Sequence, residues 1–149
     1  MRRDINSLKA SAPKMAAYYT GIIAVLLNEA GNQMLGQENP QIVRFASGLV
    51  ALSAAKEAAG LQRAAGAAGF NSGQFDLAVY RNFSEKGATE QRMLDVASTA
   101  FSQNLPDLDI EQFLRESELQ GIRKAVLAAG PGGNAPELSS LEWFTLSSK

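Results

Sequence analysis

From Asn39 to Ala68 the chain runs through Ala, Leu, Gln, Glu, Lys and Arg with no proline after Pro40, and these are the strongest helix formers. Asn39 supplies a side-chain acceptor for the free amides of a first turn. Pro40 sits where its missing N–H is not needed and its fixed φ suits a helix. A helix of that length must bury a face against other helices, and short alternating β-branched runs are absent elsewhere. An all-α fold follows. At 149 residues and 46% hydrophobic content, the chain is expected to form one domain with its own core.

Periodicity and caps divide the rest. A first helix is expected from about Lys14 to Leu35, with Tyr19, Ile22, Ile23, Leu26 and Leu27 on its buried face. Gly69, Asn71, Ser72 and Gly73 form a turn, after which Asn71 with Gln74 can make a capping box for a third helix. That helix carries Phe75, Val79, Phe83, Met93, Leu94, Val96 and Phe101, with a possible break at Gly87. Pro106 ends it, and Asp109 with Gln112 offers a cap for a fourth helix reaching Val126. Residues 130–137 read as a Gly/Pro-rich linker. Ser139 and Glu142 can cap a short last helix. Long helices joined by short turns predict an antiparallel up-and-down four-helix bundle with an additional short C-terminal helix.

The 14 basic and 15 acidic residues are mixed along the chain, and no basic run is long enough to track a phosphate backbone, so a nucleic-acid partner is not expected. His and Cys are both absent. This removes the usual zinc ligands, thiol and serine-triad chemistry, and the commonest general base near neutral pH. No enzyme activity, metal or cofactor is predicted. A chain without cysteine suits an oxidising compartment as well as the cytosol. Met1 to Asn6 lack the apolar core of a signal peptide and the run Gly21 to Leu27 is too short to span a bilayer, so the chain as written is expected to be soluble.

One feature of the long second helix stands out. A seven-residue count from Ile42 passes through Phe45, Leu49 and Leu52 and then meets Lys56, Ala59 and Arg63. The expected core stripe thus ends in two cations. Neither has an acidic residue three or four positions away, whereas Arg81 has Glu85, Arg92 has Asp95, and Arg115 has Glu111 and Glu118. A cation facing a helix interior needs a partner, because burying an unpaired charge costs about several kcal/mol. A bound anion would serve, and the planar fork of Arg63 suits a carboxylate, nitrate or nitrite. Ala54, Ala55, Ala58, Ala59, Gly60, Ala64, Ala65 and Gly66 reduce bulk nearby, leaving either closely packed backbones or a small cavity. The alternative is that the cations reach solvent, or that Arg63 pairs with Glu57 or a carboxylate of another helix. Tyr19 is assigned to the core, and Glu118, Arg123 and Lys124 to a solvated face.

The run Ala55-Lys56-Glu57-Ala58-Ala59-Gly60-Leu61-Gln62-Arg63-Ala64, followed by Gly69-Phe70 and Gly73-Gln74-Phe75, resembles the nitrate- and nitrite-sensing (NIT) domain. Tyr18 to Leu27 and Glu142-Trp143-Phe144 resemble it too. The resemblance implies a helical input module of bacterial chemoreceptors, sensor kinases or cyclases. It further implies Arg63 as the anion-contacting residue, with Lys56 and Glu57 as matching neighbours; Lys56 is taken as the second candidate ligand, and Glu57, Gly60 and Tyr19 as structural residues. In membrane-bound members the domain lies outside the cytoplasm, so an extracytoplasmic position in a membrane-anchored protein is implied, with a cytoplasmic one as the alternative. An earlier Gln-x-Glu-Arg-Gly type motif of the family has no counterpart between Met1 and Pro13, which makes the chain similar to the later half of the module.

The expected function is therefore a sensory domain for a small oxyanion, working as a homodimer through its helices. A sensor for a small carboxylate, or a structural dimerisation bundle that binds nothing, are the rivals.

Overall fold

The computed structural model describes residues 11–102 and 117–148. Among them five α-helices occur and no strand: α1 (Ala12–Gln33), α2 (Pro40–Ser72), α3 (Leu77–Phe101), α4 (Ser117–Ala129) and α5 (Ser140–Leu146), with a 3-10 turn at Met34–Gly36 after α1. The expectations for Pro106, for the Asp109 and Gln112 cap and for Arg115 lie outside the described residues.

The start of α2 follows its sequence signal. Asn39 Oδ1 accepts from the backbone amides of Gln41 (2.9 Å) and Ile42 (3.4 Å), with Pro40 in the first turn. The helix then continues through Ala68 to Ser72, and Gly73 ends it at φ 74°, a left-handed conformation that favours glycine. This extension removes the expected capping box of Asn71 with Gln74. Asp76 instead caps α3, accepting from the amide of Val79 at 2.8 Å. No break occurs at Gly87, since α3 is continuous from Leu77 to Phe101.

Helices α2 and α3 form an antiparallel pair. Early α2 meets late α3 in one apolar cluster of Ala51, Ala55, Leu94, Ala97 and Phe101, while Phe70, Phe75 and Phe83 meet near the turn. The buried face of α2 is a row of small residues, Gly48, Ala51, Ala55, Ala58, Ala65, Gly66 and Gly69, together with Gln62 and Phe70. Small side chains let the two backbones come close, and a dense interior gains dispersion contacts. A Cβ at Gly48 would stand 2.6 Å from the Phe101 ring.

This overturns the expected core stripe. Ile42 (53% exposed), Phe45, Leu49 (46%) and Leu52 lie on a neighbouring row that faces outward, because α3 approaches α2 along the row with the least bulk. On α1 the same correction applies: Tyr19 is 46% exposed and Leu26 63% exposed, while Ile23 and Leu27 are half-buried. Tyr19 is not a core residue; its ring meets Tyr18 edge-on at 5.4 Å. Helix α1 touches α2 along a narrow edge, so most of its apolar face is left uncovered.

Beyond α4, Gly130 and Gly132 adopt φ values of 73° and 76°. The amide of Gly132 donates to Phe75 O (2.6 Å) and that of Ala135 to Gly73 O (3.2 Å), so the segment 130–137 is fastened to the α2–α3 turn. From there α5 is directed back along α2. Its expected capping box forms: Ser139 Oγ accepts from the Glu142 amide (3.1 Å), and Glu142 Oε2 accepts from the Ser139 amide (2.8 Å). The Ser139 hydroxyl and then its backbone N–H hold the Glu142 carboxyl below its ordinary value.

Trp143 of α5 is fully buried, among Phe70, Phe83, Phe75, Ala65 and Val126. Its centroid lies 5.4 Å from that of Phe70 and 5.6 Å from that of Phe83. Gly66 makes this possible, since a side chain there would strike the indole.

Candidate functional site

Trp143 brings the last helix onto the segment that carries the two cations. Its Nε1 donates to the backbone carbonyl of Arg63 at 2.8 Å, the acceptor lying 80 positions earlier in the chain. The Arg63 guanidinium then lies over the Phe144 ring, 5.0 Å from its centroid, and Nη1 donates to Ser148 Oγ at 3.1 Å. Backbone and side chain of Arg63 therefore hold the same short helix at separate points. A cation over an aromatic face contributes about 0.5–1 kcal/mol at an exposed site.

Arg63, Lys56, Glu57, Ala59 and Gly60 line one cleft with Ile23 of α1 and Ser147 and Ser148 of the C-terminal turn, with a volume of about 510 Å3. Sequence reasoning brought Arg63, Lys56, Glu57 and Gly60 together, and the cleft does so too. Tyr19 is not in its lining; Ile23, one turn further on, takes that place. Gly60 has open space where a Cβ would stand, so its role is to keep the cleft wall low rather than to permit a close helix contact.

The cations are not interior charges. Lys56 is exposed and Arg63 half-buried, because the row that carries them faces outward. Among the described residues, neither forms an ion pair. Glu57 does not neutralise Arg63: its Oε1 accepts from Thr20 Oγ1 of α1 at 2.8 Å. Arg81 and Arg92 also form no ion pair among the described residues, so the spacing contrast with Lys56 and Arg63 does not carry over. A shared cleft alone does not set Arg63 and Lys56 apart, since Arg92 lines another with Arg44 and Asp95; what sets them apart is that theirs is closed on one side by the C-terminal turn that Arg63 holds.

Among the described residues, the ion pair that forms joins α3 to α4. Arg123 Nη2 meets Glu90 Oε2 at 2.9 Å, with side-chain exposures of 15% and 8%. Arg123 is thus not on a solvated face. Glu90 and Arg123 stand 33 positions apart, and no local spacing rule joins them. Gln62 of α2 donates its carboxamide N–H to Phe83 O of α3 at 3.2 Å over Gly87, while Gln62 Oε1 and Arg123 Nε are buried without a partner among the described residues. Thr20, Ser147 and Ser148 were likewise missed, since each reaches the site through tertiary packing.

Among the described residues no group of three or more His, Cys, Asp or Glu side chains could hold a metal ion, and no helix is long and apolar enough to cross a membrane. What the cleft offers chemically is two cationic side chains and the hydroxyls of Ser147 and Ser148 at an open surface, beside a Glu57 carboxylate bonded to Thr20.

No curated protein and no solved structure matches the chain. The family model described as nitrate and nitrite sensing, NIT, matches residues 1–149. With the whole chain inside that match, the protein belongs to the NIT family, whose members serve as sensory input domains of signalling proteins.

Proposed function

We propose that the domain senses a small oxyanion, nitrate or nitrite, held in the cleft by Arg63 with Lys56 as the second cation. The observation that carries this reading is the placing of Arg63 and Lys56 in one open cleft where, among the described residues, neither forms an ion pair and the nearby Glu57 is bonded to Thr20. An arginine fork gives a planar anion two parallel hydrogen bonds, which ammonium alone does not. The cleft volume falls within the range of small-ligand sites.

The signal leaves through α5. An anion on the guanidinium competes with Ser148 for Nη1 and with Phe144 for the cationic face, while the Trp143 bond to the Arg63 carbonyl stays in place. The C-terminal turn then moves relative to a fixed indole. Only the difference in affinity between docked and released turn biases the output, since equal binding to both shifts nothing. The exposed rows on α1 and α2 are covered by a second copy, completing a four-helix arrangement. The rest of a complete NIT module adds ligands from the other side of the cleft, in the extracytoplasmic part of a membrane-anchored receptor.

A small organic carboxylate is the second reading, favoured by a cleft larger than nitrate requires. A purely structural bundle is less well supported, because it calls for Arg63 paired to a protein carboxylate.

Calorimetric titration of the chain, of an N-terminally extended chain and of Arg63→Ala with nitrate, nitrite, chloride and acetate tests the proposal. Nitrate binding weakened at least about tenfold by Arg63→Ala is the expected result. Equal binding by both proteins, or binding of chloride as tight as nitrate, contradicts it. Preference for acetate selects the carboxylate reading.

A further inference from the structure

Lys56 stands between two clefts. On one side it lines the anion cleft with Arg63; on the other, with Leu52, Ser53, Ala55, Ala59 and Leu94, it lines a second cleft of about 430 Å3 that contains Glu90. Lys56 is exposed and, among the described residues, has no ion-pair partner. A lysine carries its ammonium on a four-carbon stem and can serve either side without backbone movement.

Glu90 has reason to accept it. Its residue exposure is 6%, and its hydrogen bond from Arg123 is a single contact, Nη2 to Oε2, rather than a fork to both oxygens. Arg123 Nε is buried without a partner among the described residues. A buried pair offsets its desolvation only when its remaining hydrogen-bonding sites are filled, so this one is incompletely stabilised and sensitive to a third charge. Lys56 and Glu90 line the same cleft, whose other walls are largely apolar.

We propose that Lys56 is a shared cation. Without ligand its ammonium is directed to Glu90 across the second cleft; with an oxyanion on Arg63 it turns to the anion, leaving Glu90 to Arg123 alone. This rests on the oxyanion reading and adds a second route for the signal, from the anion cleft to the α3–α4 contact. Lys56 acts on that contact as a positioning residue, and Glu90 competes with the ligand for it.

The test is a double-mutant cycle read by nitrate calorimetry on the full chain: wild type, Glu90→Gln, Lys56→Met and the double variant. Glu90→Gln is expected to tighten nitrate binding about threefold when Lys56 is present and to leave it unchanged in the Lys56→Met background. Glu90→Gln combined with Arg123→Met, which removes the buried pair as a unit, gives the same pattern and guards against a variant that does not fold. An equal gain in both backgrounds means that Glu90 acts only through its general field, and this overturns the exchange. No gain, or a loss, in the presence of Lys56 overturns it as well. In those cases nitrate still binds through Arg63; nitrate that does not bind, or binds independently of Arg63, overturns the oxyanion reading and the exchange with it.

Discussion

The two ends of α2 are built on opposite principles. At its C-terminal end, Phe70, Phe75, Phe83 and Trp143 form a closed aromatic cluster in which the indole N–H has its acceptor and Trp143 has no exposed surface. Over its N-terminal half, Ile42 and Leu49 are about half exposed, and further along the helix Lys56 and Arg63 share a cleft with Glu57 in which, among the described residues, neither cation forms an ion pair. A saturated region has one low-energy packing. An unsaturated one can gain contacts, which the proposed ligand site requires. The difference suggests a division of labour: the aromatic end fixes where α5 starts, and the cationic part decides where it ends.

Substitutions break that comparison at different strengths. Trp143→Ala has the largest expected effect, a loss of about 3–5 kcal/mol in denaturant unfolding, because a fully buried indole leaves a cavity. Replacing Arg123 alone by Met leaves Glu90 buried without its partner and is expected to cost about 2–3 kcal/mol, below the fully buried case because Arg123 keeps 15% of its side chain exposed. Replacing Glu90 and Arg123 together by apolar residues restores most of the loss, and denaturation midpoints of the three proteins check this.

Ser139→Ala removes the N-cap of α5 and is expected to cost about 1 kcal/mol, read from thermal unfolding. The same cap gives a pH signature. Because the folded Glu142 carboxyl lies below its ordinary value of about 4.5, its contribution is fully present above that value and is lost as pH falls through the depressed one. Trp143 fluorescence followed as pH is lowered through and below the ordinary carboxylate range detects this, and Glu142→Gln abolishes that component. Smallest of all is Leu49→Gln: on an exposed row it changes monomer stability by less than about 0.5 kcal/mol. If the row is covered by a second copy, sedimentation at increasing concentration separates wild type from this variant.

Local signals in the sequence were reliable where the physics is local. The Asn39 and Pro40 start of α2, the Ser139 and Glu142 box and the all-helical character each depend on groups within a turn of one another. The buried face of α2 was misread because size, not hydrophobicity, selects it: Gly48, Ala51, Ala55 and Ala58 admit α3, while the larger Leu49 and Leu52, one position on from Gly48 and Ala51, are left on the outer row. Likewise, Arg63 was legible as an unpaired cation, but its contacts with Phe144 and Ser148 depend on Trp143 docking over Gly66 and could not be found by spacing. The Glu90 and Arg123 pair belongs to the same class.

The central claim is that an anion on Arg63 moves the C-terminal turn about a fixed Trp143. Trp143 is the chain's one tryptophan, and its Nε1 bonds to the Arg63 carbonyl, so its fluorescence reports on that junction without a label. Titrating nitrate into wild type and Arg63→Ala, with chloride as the ionic-strength control, is the direct measurement. The account predicts a saturable change in wild type that chloride does not reproduce and Arg63→Ala abolishes; an unchanged signal in wild type, or an identical change in Arg63→Ala, would contradict it.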